Sequence, residues 1–307
     1  MKTKQLRGLL VMLLASLIWG AAFVAQSVGM EKIGPFTFSA VRISIGAATL
    51  AGIMLVKHGI ERKKVPNSSR PFFTKRELVF GGMMGVVLSV ACNFQQYSLV
   101  YTTPGKTAFI TTMYIIFVPI AGLFFKNKVS PFVWGGVGLA LVGLYLLCVN
   151  PNESGINLGD ILALVGSIFF TAQIMLIEKS GGEVDSVKLC FLQFFVCGIL
   201  STVLMFIFET PQWSGIKEAS IPLLYAGALS GGVAYMLQIV GQRDVGPALG
   251  SLAMSMESVF AVLTAWILLG DVMNGRELIG CVLMFAAIIL AQLSDIIMGK
   301  IKGTKKR

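Results

Sequence analysis

The sequence predicts an all-α membrane protein: ten transmembrane helices arranged as two inverted five-helix repeats. Three observations carry this reading. Roughly ten stretches of about 20 mostly uncharged residues follow one another with short gaps, and about 18 apolar residues suffice to cross a ~30 Å hydrocarbon layer as a helix. The composition is 55% hydrophobic and 13% charged, with a mean hydropathy of +0.81, whereas soluble domains carry about 25% charged residues. The cations are also sorted by side. Twenty of the 25 Lys and Arg fall with the N-terminus, four (Lys32, Lys106, Lys217 and Arg276) fall opposite, and Arg42 lies inside a span. The positive-inside rule then puts both termini in the cytoplasm, which requires an even number of spans.

The spans are expected near 8–29, 36–57, 78–99, 105–125, 130–149, 158–178, 186–208, 220–241, 247–269 and 276–298. Span 1 follows Lys2, Lys4 and Arg7 as a signal peptide would. At 8–29 it exceeds a signal's 7–15-residue apolar core and shows no small-residue cleavage site, so it reads as a retained helix. Span 2 carries Arg42. Spans 4 and 9 open on Pro104-Gly105 and Gly246-Pro247, at equivalent repeat positions, where Pro suits a first helical turn and the pair suits a hinge. Pro119 removes a helical hydrogen bond inside span 4 and predicts a kink there. The 34 glycines fit membrane helices that approach closely.

Other function classes lose ground on composition. The net charge of +10 is a topology signal on one side of the bilayer, so no nucleic-acid partner is expected; the basic tail anchors the chain or touches anionic lipid. The five cysteines (Cys92, Cys148, Cys190, Cys197, Cys281) all fall in expected helices without metal spacing, and His58 stands alone, so neither a metal nor a cofactor is expected. A membrane enzyme would need clustered acids, a metal set or an activated nucleophile, and none is legible. A channel would want rings of repeated polar residues from several subunits. No G-x-x-x-x-G-K-[ST] loop is present, so concentrative transport would draw on a gradient or a partner.

Weak internal similarity divides the chain into 1–150 (spans 1–5) and 151–307 (spans 6–10 plus the basic tail). At an offset of 151, Gly8, Leu13, Ser16 and Ala21 match Gly159, Leu164, Ser167 and Ala172, and Arg42 falls on Gln193. At an offset of 143, Pro104, Met113 and Val129 match Pro247, Met256 and Val272. Repeats with an odd number of spans enter the membrane from opposite faces. That arrangement is typical of secondary transporters that hold substrate near the midplane, between the halves.

The motifs extend this. WGAAFVA at 19–25, Pro35-Phe36-Thr37-Phe38 followed by Arg42, YTTPGKTAFIT at 101–111, FVP at 117–119, WGGVGLALVGLYLL at 134–147, and ESVFAVLTAWILLGD at 257–271 with Arg276-Glu277 and Gly280 occur in order. The chain resembles a ten-helix EamA-type member of the drug/metabolite transporter superfamily, over nearly its whole length. The resemblance implies a secondary transporter in the bacterial plasma membrane, exporting a small metabolite, amino acid or drug by alternating access. A flippase for a lipid-linked small molecule, or an uptake permease of the same fold, is the alternative. One departure stands out. The family often has an acid just after spans 4 and 9; Asp271 fills the second place, but Lys126-Asn127-Lys128 occupies the first.

Charges at the bilayer centre are costly and mark candidate sites. Glu257, near the middle of span 9, reads as a proton-coupling or substrate-ammonium site, or as a packing carboxylate bonded to Ser255 or Ser258. Arg42 reads as a structural residue, snorkelling or bonding backbone carbonyls, or as a partner for a substrate carboxylate. Polar and aromatic stripes supply a substrate-binding set: Trp19 and Phe23 (with Gln26) on span 1; Asn93, Tyr97 and Tyr101 (with Gln96) on span 3; and Tyr114 (with Thr111) on span 4. Gln173 lies on span 6 and Tyr235 and Gln238 on span 8. Lipid cannot satisfy such groups, so they are expected to face the interior and line one central chamber for a small amphipathic solute. The expected partners are therefore that solute and the lipid bilayer, with proton coupling as an option and a monomer or homodimer as the assembly.

Overall fold

A computed structural model of the protein describes residues 3–64, 71–102, 104–125, 129–149, 155–270 and 273–304. Lys126, Asn127, Lys128 and Asp271, and the tail at 305–307, lie outside the described residues. Every regular element is helical: α1 (Thr3–Met30), α2 (Pro35–Lys64), α3 (Lys75–Ser98), α4 (Pro104–Thr111), α5 (Tyr114–Phe124), α6 (Pro131–Cys148), α7 (Leu158–Ser180), α8 (Ser186–Phe208), α9 (Trp213–Glu218), α10 (Ser220–Leu224), a π-helix (Tyr225–Ala234), α11 (Tyr235–Val245), α12 (Pro247–Met254), α13 (Met256–Leu269) and α14 (Gly275–Thr304). Among the described residues nine helical segments are long and apolar enough to cross a membrane, and the 30-residue α14 occupies the tenth expected span.

Side chains at the helix ends explain several boundaries. α3 starts in a capping box, with Thr74 Oγ1 accepting from Glu77 N at 3.2 Å and Glu77 Oε2 from Thr74 N at 2.7 Å. Asn157 and Asp160 build the same device for α7. Ser130 caps α6 ahead of Pro131, and Asp185 caps α8.

The two halves run antiparallel and make the same contacts. Arg7, at the start of α1, meets Asp244 at the end of α11, while Arg243 on α11 reaches Ser180 at the end of α7. The start of α1 and the end of α7 therefore share a face, called here the Arg7 face. A Cβ added to Gly8 would meet Asp244 Cβ at 2.5 Å, Gly241 O at 2.9 Å and Val245 at 3.0 Å. A Cβ added to Gly159 would meet Ser98 O at 2.6 Å, and Tyr101 Cβ and Thr102 at 3.0 Å. All four pairs obey the sequence offsets, 151 for the glycines and 143 for their neighbours.

Spans 4 and 9 are discontinuous. α4 ends at Thr111 and α5 begins at Tyr114; α12 ends at Met254 and α13 begins at Met256. Pro119 sits within α5. Hydroxyls account for both breaks. Thr112 Oγ1 donates to Ala108 O at 2.7 Å and Ser255 Oγ to Leu252 O at 2.7 Å, at positions 143 residues apart. A hydroxyl bonded back to the preceding turn competes with the backbone ladder and bends a helix.

Span 8 departs further from a plain helix. A Cβ at Gly85 would meet Val196 Cβ at 2.6 Å and Gln193 O at 2.8 Å; one at Gly227 would meet Ile45 Cβ at 2.6 Å and Arg42 O at 2.7 Å. These are the same contact in the two halves, yet Gly227 follows Gly85 by 142 residues, not 143. The offset gains its extra residue within Tyr225–Ala234, so the π-helix is a one-residue insertion into span 8 relative to span 3.

Candidate functional site

The broken helices, span 8 and spans 1–3 and 6 surround a cavity at mid-depth between the halves. Its lining includes Trp19, Phe23, Gln26, Arg42, Gln95, Thr111, Tyr114, Phe170, Gln173, Ile174, Ser230, Tyr235, Gln238, Met254 and Glu257. The space is tight, about 60 Å³, enough for roughly four to six waters at about 10–15 Å³ of centre volume each. Five pairs of lining residues are repeat equivalents: Trp19 and Phe170, Phe23 and Ile174, Gln95 and Gln238, Thr111 and Met254, Tyr114 and Glu257. The pseudo-twofold axis therefore passes through the cavity.

The axis is marked by equivalent residues that touch. Tyr114 Oη donates to Glu257 Oε1 at 3.2 Å, and Cys92 Sγ lies 3.9 Å from Tyr235 Oη. Tyr114 begins α5, and Glu257 lies in the first turn of α13, so the positive ends of two half-helices converge on this point. Glu257 is buried.

Arg42 enters from α2. It is 8% exposed, and its Nε and Nη2 have no hydrogen-bond partner among the described residues. Burying a cation costs desolvation unless an anion or hydrogen-bond acceptors compensate it, so Arg42 is a candidate to hold an anionic group. Trp19 donates its indole N–H to Ser230 O at 3.2 Å, a carbonyl of the π-helix, and meets Tyr235 edge-on at 5.0 Å. Phe194 backs Tyr235 from behind at 5.0 Å. Gln173 anchors an amide chain: its Nε2 donates to Gln193 Oε1 at 3.2 Å, and Gln238 Nε2 donates to Gln173 Oε1 at 3.2 Å. Gln193, the repeat equivalent of Arg42, thus supports the wall without lining it.

Three sequence candidates lie elsewhere. Asn93 donates to Ser201 Oγ and Ser89 O, both at 2.8 Å, and joins α3 to α8. Tyr97 and Tyr101 bond each other at 2.9 Å, and Tyr97 packs on Phe36 at 5.2 Å, near the face opposite Arg7. The single central chamber expected from the stripes therefore excludes Asn93, Tyr97 and Tyr101. Span 3 is polar on more than one face, and its other polar faces are taken up by helix packing. The α3 residue that lines the cavity is Gln95. Sequence spacing passed it over, although the offset of 143 from Gln238 leads straight to it.

The model of the EamA-like transporter family matches residues 6–149 and again 157–293. The chain belongs to the EamA-like transporter family. An uncharacterized transporter of Archaeoglobus fulgidus is 28% identical over 291 residues, covering 94% of this chain and 87% of the relative. The uncharacterized transporter YoaV of Bacillus subtilis is 24% identical, covering 90% and 93%. The uncharacterized inner membrane transporter YedA of Escherichia coli is 25% identical, covering 90% and 88%. One crystal structure superposes with a TM-score of 0.78 over 94% of this chain and 98% of the other, at 16% identity, a likeness of fold. This EamA-like protein is a multi-pass membrane transporter and not an enzyme.

Proposed function

We infer that this transporter is a secondary exporter of a small zwitterionic, amphipathic solute of the amino-acid class, working by alternating access in the bacterial inner membrane. The observation that carries the reading is the charge pattern of the cavity. The Arg42 guanidinium, whose Nε and Nη2 have no hydrogen-bond partner among the described residues, and a carboxylate, Glu257, line one cavity on the repeat axis, with aromatic rings between the elements that bear them. A substrate carboxylate would complete Arg42. Glu257 would take the substrate ammonium or a coupling proton, and Trp19, Phe23 and Tyr235 would cover the apolar part. Gln173 and Gln238 supply amides for the remaining polar atoms.

Alternating access is supported by the inverted halves and by ion pairs that tie one half to the other near each face. Arg7 and Asp244 pair at 2.6 Å on the Arg7 face, and Lys106 and Asp160 pair at 2.7 Å near the other. Opening either face means separating its pair. The tightness of the cavity fits a site that opens by movement of the halves. The cation asymmetry of the sequence supports cytoplasmic termini, and the likeness to YedA supports the inner membrane.

The test is a thermal-shift comparison on purified protein, because a ligand of the folded state raises its apparent stability. Zwitterionic amino acids are compared with the matching amines, which lack the carboxylate, and the matching acids, which lack the ammonium. The zwitterions should give the larger shift, and Arg42→Gln should bring them down to the level of the amines. Equal shifts for all three classes would overturn the assignment. Direction is read from right-side-out against inside-out vesicles, with faster efflux expected from the cytoplasmic side.

A further inference from the structure

A second cavity lies on the Arg7 side of the molecule, with a volume of about 340 Å³. Both halves build it. Val118 and Ser130 come from the first half, and Glu178, Gly246, Pro247 and Leu249 from the second. It is coaxial with the central cavity. Tyr114 and Val118 are one turn apart on α5, and Ile174 and Glu178 are one turn apart on α7; in each pair the first lines the central cavity and the second this one. Met254 and Leu249 repeat the relation on α12. Between the two levels sit the fully buried Ile115 and Leu252, an apolar partition about one turn thick.

The walls are apolar apart from Ser130 and Glu178. Glu178 is exposed at the end of α7, and its carboxylate makes no hydrogen bond or ion pair among the described residues. Three cations on this side among the described residues are engaged. Lys179 Nζ lies 3.7 Å over the Phe125 ring. Arg243 donates to Val184 O and Ser186 Oγ, and Arg7 to Asp244. The α11–α12 junction lines the cavity at the level of the Arg7 face, and there Gly246 holds a φ of +80° that favours glycine.

We propose that this cavity is a second, vestibular binding site that takes the ammonium end of an organic cation or zwitterion, with Glu178 as its counter-charge. It rests on the transporter reading for its place on a path, one helical turn from the central cavity. As a binding site it stands on the cavity and the unpaired carboxylate. An apolar pocket with a single carboxylate at its mouth suits an alkyl- or aryl-ammonium group: the ring or chain is buried and the charge stays at the rim.

The test uses benzyltrimethylammonium as the probe, titrated calorimetrically into the full-length protein in lipid nanodiscs. The wild type should bind it. Glu178→Gln should weaken binding at least tenfold, Glu178→Asp should restore it to within a few-fold, and Glu183→Gln, at an exposed acid on the loop after α7, should leave it unchanged. Protection gives a second measurement: the probe should slow labelling of Val133→Cys by a charged methanethiosulfonate reagent. Wild-type affinity in Glu178→Gln would overturn the proposal, as would an equal loss in Glu183→Gln. If no solute is transported or shifts stability, yet Glu178-dependent binding persists, the transport reading falls and the vestibular site stands.

Discussion

Tyr114 Oη donates a hydrogen bond to Glu257 Oε1 at 3.2 Å, and the two residues hold the same position in the two repeats. In one half the pseudo-twofold places a phenol and in the other a carboxylate, each at the start of a half-helix. Chemistry that a symmetric pair of carboxylates or phenols would lack becomes available: a donor that holds a titratable acceptor in one place.

For this pair the expected outcome is a separation of binding from coupling. Glu257→Gln keeps size and hydrogen bonding and removes titration. It should fold, bind substrate, and lose pH-dependent, gradient-driven transport in proteoliposomes. Tyr114→Phe removes a hydrogen bond to a charged group, worth about 1.5–3 kcal/mol, and should alter the pH profile without abolishing transport. Uphill transport by Glu257→Gln with an unchanged pH profile would assign Glu257 to packing.

Arg42 should behave oppositely in binding and stability. Removing a buried guanidinium whose Nε and Nη2 lack hydrogen-bond partners among the described residues relieves desolvation, so Arg42→Met should melt at or above the wild-type temperature. The same change should weaken zwitterion binding by roughly 10- to 100-fold, corresponding to a lost charge-assisted bond of about 1.5–3 kcal/mol. Thermal melts and calorimetric affinities on one preparation check both signs. A large drop in melting temperature would make Arg42 a structural residue.

Glu209 pins the start of α2 from the end of α8. Its carboxylate accepts from Phe36 N at 3.0 Å, Thr37 N at 2.7 Å and Thr37 Oγ1 at 2.6 Å, satisfying backbone donors that a helix start leaves open. Glu209→Ala should destabilise by about 1–3 kcal/mol and, by loosening the helix that carries Arg42, weaken substrate binding as well. Denaturant titration and the zwitterion thermal shift measure the two effects. An unchanged midpoint would show the clamp to be dispensable.

Asp185 gives a pH dependence with a definite sign. Burial alone would raise its carboxyl, but the Lys57 ammonium and the Lys188 and Val187 N–H groups outweigh this and hold it below the ordinary aspartate value. A lowered folded-state value means the stabilisation is fully present above the unfolded value of about 4 and is lost as pH falls through the folded one. The melting difference between wild type and Asp185→Asn should therefore be constant from pH 7 to 5 and shrink below about pH 4. With both side chains partly exposed, it should amount to about 1 kcal/mol or less. A difference that grows on acidification would refute the pairing.

Much of this molecule was legible because a bilayer punishes exposed polarity. Nine spans follow the apolar runs, and Trp19, Phe23, Tyr114, Gln173, Tyr235, Gln238, Arg42 and Glu257 gather round one cavity as interior-facing groups must. The misreadings have local causes. The breaks at Thr112 and Ser255 come from hydroxyls bonded to the preceding turn, and a serine or threonine in a membrane helix carries no unique mark of that. Asn93 and Tyr97 are as polar as Gln95, and only packing against α8 and Phe36 reveals that their faces are already occupied. Glu209 escaped notice because its partners are backbone groups 172 and 173 residues away in the chain.

The inserted residue in the π-helix has a consequence for motion. Upstream of it span 8 packs on α2 as span 3 packs on α8, and downstream it meets α1 as span 3 meets α7. Both registers hold only because the wider turn between them absorbs the surplus. The first half has no such slack. The two halves therefore cannot trade shapes as equivalents, and on the alternating-access reading the state open to one side of the membrane would differ in kind, not merely in direction, from the state open to the other.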